Sequence, residues 1–143
     1  MGEIQVFLDA DVVISAMLSE TGASHAIINN RKVKKIISNG ILKEVEASVT
    51  KLNISPQVAR DLLKKIRIIQ LKTSKEIIIK KFRRYVYDEE DAHVIAGAVI
   101  SKSRLLLTYN LRHYKVNKIN SDLGIVVFKP GYFLQYLRSL DKF

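Results

Sequence analysis

Short apolar runs without helical period recur along this chain, and most are followed within one or two residues by a signal that starts a helix. Ile4 to Leu8 is the first, and the carboxylates of Asp9-Ala10-Asp11 behind it can cap a helix beginning near Val12. Val33 to Ser38 is the second, with Ser38 placed to cap a helix on which Leu42, Val45, Val49 and Leu52 recur at helical spacing. Leu105 to Thr108 and Gly124 to Phe128 are further runs of strand length, and Pro130 then opens a closing helix carrying Phe133, Leu134 and Leu137. A strand cannot pair in parallel with the next one in sequence without a crossover, so this alternation predicts an α/β chain with a mostly parallel sheet covered on both faces.

Between these runs the spacing predicts two more helices. Ser55-Pro56 sets an N-cap residue before a proline at the first helical position, giving a helix from Pro56 to about Ile66. Asp88 to about Ser101 forms another, with acids in its first turn and Ile95, Ala98 and Val99 on its apolar face. Arg67 to Leu71 and Glu76 to Tyr85 fit neither period clearly.

A length of 143 residues fits one domain, here read as 1–143, and 48% apolar with 27% charged residues is ordinary for a globular chain. Lys or Arg interrupts every long apolar run, so the ~18 to 20 residues of a bilayer span are never reached. Glu3 and Asp9 flank the first apolar segment where a leader peptide would carry basic residues. The expectation is a cytoplasmic protein without a membrane anchor. The absence of cysteine excludes disulfides, a thiolate nucleophile and thiolate-held zinc or iron-sulfur centres, so any bound metal must be held by oxygen or imidazole.

Charge is large and unevenly placed. The net charge is +10, and between Arg60 and Arg84 ten Lys and Arg residues face only Asp61 and Glu76. Acids gather elsewhere: Asp9 with Asp11, Glu44 with Glu46, and Asp88 to Asp91. A basic surface alone could serve solubility, but segregated signs suggest a negative pocket on a positive body. Such a body attracts phosphates through counterion release, while a cation neutralises the pocket.

In an open α/β sheet ligands bind beyond the carboxyl ends of the strands, which picks out Asp9, Thr108 and Asn110. Glu44, early in its helix, and Asp91, in the first turn of another, can reach the same rim. Carboxylates brought together repel, and a hard divalent ion such as Mg2+ or Mn2+ relieves the repulsion while leaving coordination positions open to a phosphodiester.

Five ordered segments carry a resemblance: FLDADVVISAM (7–17), ILKEVEASV (41–49), DEEDAHVIAGA (88–98), LLLTYNLRHY (105–114) and VVFKPGYFLQYL (126–137). Together they resemble the PIN-domain family, nearest in style to the VapC-like toxins of prokaryotic toxin-antitoxin pairs. The resemblance spans essentially the whole chain; each motif is short, and the specificity lies in their order and spacing.

It implies a three-layer α/β/α sandwich and a Mg2+- or Mn2+-dependent endoribonuclease. Carried over by position, Asp9, Glu44 and Asp91 are the metal-binding acids, with Asn110 completing the catalytic set. An RNA substrate, a small antitoxin protein and a homodimer are implied in the same way.

The sequence departs from the family at its fourth acid. Where Thr-x-Asp-x-x-Asp and an aromatic are usual, this chain has Thr108, Tyr109, Asn110, Leu111, Arg112, His113 and Tyr114. Asp11 stands where Asn is more common, so one acid can have moved across the site. Asp11, Thr108 and His113 are therefore auxiliary candidates, and Arg83, Arg84 and Arg112 are candidates for holding RNA.

Each residue also has a plainer reading: Asp11 as a helix cap, Asp88 and Asp91 as a capping pair, Glu44 as a surface residue, Asn110 as a turn former. Tyr85, Tyr87, Tyr109 and Tyr114 could stack on unpaired bases or simply pack. His25 and His93 receive no role. Two rival functions stand beside the nuclease. One is a PIN-fold module that has lost catalysis and binds RNA or protein. The other is a haloacid-dehalogenase-type phosphatase, to which Asp9-Ala10-Asp11-Val12-Val13 bears a local likeness, although its acidic cluster would come too early in the chain.

Overall fold

The structure is a computed structural model and describes residues 4–140; Glu3, which flanks the first apolar segment, lies outside the described residues. The chain runs β1 (Ile4–Leu8), α1 (Ala10–Leu18), α2 (Ala23–Ile28), β2 (Val33–Ser38), α3 (Asn39–Lys51), α4 (Pro56–Leu63), β3 (Arg67–Ile69), α5 (Lys75–Phe82), α6 (Ala92–Ile100), β4 (Leu105–Leu107), α7 (Val116–Leu123), β5 (Val126–Phe128) and α8 (Pro130–Leu140).

The five strands form one sheet in the order β3-β2-β1-β4-β5, and every pairing in it is parallel. β1 is central, with Phe7 opposite Ile36 on one side and Leu106 on the other. Strands in such a position are covered on both faces and read as continuous apolar runs; Val6, Phe7 and Leu8 are fully buried.

The first two crossovers step toward β3 and the next two step away toward β5. Right-handed connections therefore place the intervening helices on opposite faces, giving the α/β/α sandwich. Between β1 and β4 the direction of winding reverses. A crevice opens there beyond the strand ends, as it does wherever an open sheet switches direction.

Local chemistry explains most helix starts. Ser38 Oγ accepts from Ile41 N at 3.2 Å and caps α3, while Ser55, with Pro56 behind it, caps α4 through Val58 N. The first helix differs from expectation. Asp9, not Asp11, is its cap: Asp9 Oδ1 accepts from Ala10 N at 2.8 Å, and the helix begins at Ala10 rather than near Val12.

The two undecided segments resolve into the three-residue edge strand β3 and into α5, whose cap is Ser74. Helix α6 begins later than the pattern predicts, because a 3-10 turn over Glu89–Asp91 precedes it. Two helices, α2 and α7, have no counterpart in the sequence pattern. Neither has a side-chain cap, and α7 rests on the buried Ile119 and ends at Gly124 in the left-handed region at φ 69°.

One close approach ties the layers. Gly97 of α6 packs against the far end of the ring of the fully buried Phe7, where any Cβ would overlap it. None of the described helices is long and apolar enough to cross a membrane.

Candidate acidic site

Three connections deliver the acids to the crevice. Asp9 follows β1 directly, Glu44 sits in the second turn of α3, and Asp91 closes the 3-10 turn before α6. A fourth connection, after β4, brings Thr108, Asn110 and a 3-10 turn over Leu111–His113.

The last two connections are pinned to each other. Val86 bridges Tyr114 in antiparallel fashion, Tyr87 N donates to the His113 carbonyl at 3.2 Å, and Lys115 N donates to the Tyr85 carbonyl at 2.9 Å. The segment leading to Asp91 is thereby held against the segment carrying Asn110.

The result is one cavity of about 350 Å3 whose walls include Asp9, Asp11, Glu44, Asp91, Asn110 and His113. The candidate acids Asp9, Asp11, Glu44 and Asp91 thus all face it. Thr108 lies behind the wall, fully buried, and orients the acids from there.

Asp9 is the most firmly held. Besides capping α1, its Oδ2 accepts from Tyr114 Oη at 2.6 Å and from Thr108 Oγ1 at 2.9 Å. Three neutral donors fix its two oxygens without cancelling the charge.

Asp11 faces the corner where the family's fourth acid would stand. Its Oδ2 accepts from Asn110 Nδ2 at 2.9 Å and from Tyr109 N at 3.1 Å, and Thr108 Oγ1 lies 3.3 Å away. Its Oδ1 is buried and has no hydrogen-bond partner. Burial and the charge of Asp9 push the Asp11 carboxyl up to about 6, against the lowering effect of Tyr109 N and Thr108.

Asp91 is likewise raised, by burial first and then by the charges of Asp9, Asp88 and Glu44, with His113 opposing. The His113 imidazole Nδ1 stands 3.7 Å from Asp91 Oδ2. Asp91 occupies the cap position of α6 but makes no side-chain cap hydrogen bond. Asp88 makes one with Glu90 N at 3.0 Å, so the structural part of the expected capping pair falls on Asp88 alone.

Glu44 reaches the cavity from a half-exposed position, and its Oε1 meets His93 Nε2 at 2.7 Å. Burial lowers the His93 pKa, but the hydrogen bond to Glu44 and the charges of Glu44, Asp9 and Asp91 outweigh it, and the net shift is upward.

Two contributors are not identifiable as such from the sequence. Tyr114, a possible stacking residue on sequence grounds, is only 3% exposed, and its hydroxyl is spent on Asp9. Burial first, then Asp9, pushes its pKa far above the usual phenol range. His93 touches Glu44. The spacing of Tyr114 from Asn110 and of His93 from Asp91 is visible in the sequence, but nothing in a linear pattern states which way a side chain turns.

The donor chemistry of the cavity suits a hard cation. All the acids offer oxygen, burial and neighbouring negative charge push up the carboxyls of Asp11 and Asp91, and Asp11 carries an unpartnered buried oxygen. Among the described residues, however, no three His, Asp or Glu side chains converge closely enough to hold an ion together. Mg2+ does not need that many, since it commonly keeps several waters and takes one or two carboxylates. Of the candidate RNA contacts, Arg83, Arg84 and Arg112 are all exposed; Arg112 lies in the 3-10 turn beside Asn110, and Arg83 lines a separate cavity of about 610 Å3 with Tyr87 and Asp88. Tyr85 is buried and cannot stack on a base, whereas Tyr87 and Tyr109 are exposed.

Solved structures share this architecture. A toxin-antitoxin complex from Klebsiella pneumoniae contains a chain 19% identical to this one, with a TM-score of 0.65, covering 87% of this chain and 97% of that one. VapBC from Salmonella typhimurium bound to DNA gives 18% identity and a TM-score of 0.62 over 89% and 98% of the two chains. VapBC2 from Rickettsia felis, bound to a DNA fragment from its promoter, gives 15% and 0.61 over 88% and 98%. At these identities the likeness is one of fold. No curated protein sequence matches the chain. The sequence itself matches the PIN domain over residues 5–112, the stretch that runs from β1 through Asp9, Glu44, Asp91 and Asn110, and on that ground the chain belongs to the PIN-domain family.

Proposed function

We propose that this protein is a metal-dependent endoribonuclease, acting as the toxin of a toxin-antitoxin pair, with Mg2+ or Mn2+ bound among Asp9, Glu44 and Asp91, directly by one or two of these carboxylates and through water by the rest, and with Asp11 and Asn110 completing the cavity. The observation that carries this reading is the gathering of acids from three separate connections, with Asn110 and His113 from a fourth, into one cavity at the point where the sheet reverses direction.

When bound there, a divalent ion would supply Lewis-acid stabilisation of charge at a phosphodiester. The chain's own residues prepare the site. Tyr114, Thr108 and the α1 N-terminus fix the Asp9 carboxylate, so little reorganisation is needed when a cation arrives. Asn110 holds Asp11 through its amide N–H and keeps its own Oδ1 available as a neutral donor to a cation. Arg112, exposed beside the cavity, is placed to meet a phosphate of the substrate strand.

The antitoxin partner and the homodimer belong to the same proposal. Support for the partner comes from the similar chains, which were solved within toxin-antitoxin complexes.

Cleavage of single-stranded and structured RNA with Mg2+ and with Mn2+, set against Asp9→Asn, tests the proposal. Loss of at least about a hundredfold in the variant is expected, in keeping with removal of a charge-stabilising group. Equal cleavage by the two proteins refutes it. One observation favours a second reading, a PIN-fold module that binds RNA or protein without cutting: the fourth acid is the neutral Asn110 and the acids do not converge on a ready-made ion site. Intact RNA binding without measurable Mg2+ or Mn2+ affinity would select it.

A further inference from the structure

Glu44 stands between two cavities. On one side is the acidic cavity; on the other is a larger one of about 420 Å3 with Leu71, Ile78 and Ile79 in its walls, enclosed by α3, α5 and the start of α6. Glu44 lines both, its side chain is 46% exposed, and a Glu has three side-chain torsions with which to choose between them. Left free, the carboxylate would divide its time between the cavities.

Among the described residues, His93 is the one side chain hydrogen-bonded to it. The imidazole projects from the first turn of α6, two residues past Asp91, and Nε2 meets Glu44 Oε1 at 2.7 Å. The ring has little freedom of its own: only 21% of its side chain is exposed, and Nδ1 is buried without a partner. On its far side lies Gly40, at the start of α3, where an added Cβ would come within 2.9 Å of Nδ1. The glycine thus supplies the space the ring occupies beside α3, with Nε2 meeting Glu44.

Resting on the metal-site reading above, we propose that His93 is a positioning residue. His93 itself lines the larger cavity, so by occupying Oε1 it anchors the Glu44 carboxylate at the wall the two cavities share, leaves Oε2 for a cation on the acidic side, and couples the orientation of Glu44 on α3 to the helix that Asp91 precedes. Carboxylates that ligate cations are themselves hydrogen-bonded from behind, and removing that outer partner typically weakens metal affinity roughly 10- to 100-fold.

Mn2+ affinity, measured by titration calorimetry at fixed pH and followed by electron paramagnetic resonance, tests this without relying on turnover. His93→Leu is expected to weaken Mn2+ binding by roughly 10- to 100-fold, and His93→Gln, which keeps a side-chain N–H donor, to recover most of the loss. Gly40→Ala, which displaces the ring while leaving both partners in place, is expected to weaken binding in the same direction. Glu44→Gln sets the reference. If His93 acts through Glu44, His93→Leu combined with Glu44→Gln binds no more weakly than Glu44→Gln alone, because neighbours that share one interaction do not add. A merely structural histidine would give additive losses and no rescue by Gln, and either result overturns the proposal. Unchanged or tighter binding in His93→Leu, while Glu44→Gln is weakened, overturns it too and leaves the metal site standing. Equal Mn2+ binding by the unaltered protein and Glu44→Gln removes Glu44 from the metal site, and the proposal falls with it.

Discussion

Asp11 illustrates how much a single residue's chemistry depends on what stands opposite it. One of its oxygens is held by Asn110 and Tyr109 N, the other is buried without a partner, and Asp9 lies on the same rim. An acid whose folded pKa is raised binds its proton more tightly in the folded state than in the unfolded one. Its stabilising contribution is therefore complete below the unfolded value of 3.8 and is lost as pH rises through about 6. Without metal, the protein should accordingly lose stability between about pH 4 and 6. Asp11→Asn should flatten that part of the profile, and should match or exceed the native chain at pH 7. Urea unfolding with a chelator present, repeated across this range, checks it. An Asp11→Asn profile with the same slope as the native one would show that the carboxyl is not held in the folded state as the geometry requires.

At the scale of elements, the packing of α6 against β1 sets the site, because Asp91 immediately precedes α6 and Asp9 immediately follows β1. Gly97 allows the two to approach. Alanine there would gain about 1 kcal/mol of helix propensity but would drive a methyl into the Phe7 ring, and overpacking of this kind costs about 1–3 kcal/mol. Phe7 is fully buried and cannot swing aside, so Gly97→Ala should be destabilising overall by up to about 2 kcal/mol, read as a lower urea midpoint with an unchanged slope. A raised midpoint would mean that the helix moves off the strand at little cost.

The same elements show what a linear pattern can and cannot carry. β2 is legible to the residue because its run is apolar, strand-length and closed by a capping serine. α3, α4 and α8 announce themselves through Ser38, Ser55-Pro56 and Pro130. β3 does not, since an edge strand of three residues that shows Arg67 and Ile68 to solvent has neither a continuous apolar run nor a clean alternation. Helices α2 and α7 lack side-chain caps, which removes the very signal that locates the others. The acids are found by their order in the chain, whereas the His93–Glu44 and Tyr114–Asp9 hydrogen bonds join residues 49 and 105 positions apart and depend on rotamers that no spacing encodes.

Over the molecule as a whole, the +10 charge is not spread evenly around the acidic cavity. The basic residues from Arg60 to Arg84 ride on α4, β3 and α5 and their flanking loops, at the β3 edge of the sheet, and are exposed. Two physical roles compete there. Charge on a short edge strand discourages pairing with another chain, and Arg67 on β3 would do this whatever the protein binds. The arginines of the two pinned connections, Arg83 and Arg84 after α5 and Arg112 beside Asn110, have no strand edge to protect, and the exposed rings of Tyr87 and Tyr109 stand near them in the chain. Neutralising a phosphate releases counterions, so for a single strand each arginine–phosphate pair that is removed lowers the slope of log affinity against log salt by about 0.7. Replacing Arg83, Arg84 and Arg112 together by Ala should thus weaken binding of a single-stranded RNA and reduce the salt slope by about 2, with Mn2+ affinity unchanged. Arg67→Ala should leave the slope as it was and show its effect instead as self-association at high protein concentration. Fluorescence anisotropy across a salt series, run with a chelator so that the RNA stays intact, separates the two roles. A slope that responds to Arg67 and not to the other three would move the RNA path from the crevice to the sheet edge, away from the acidic cavity.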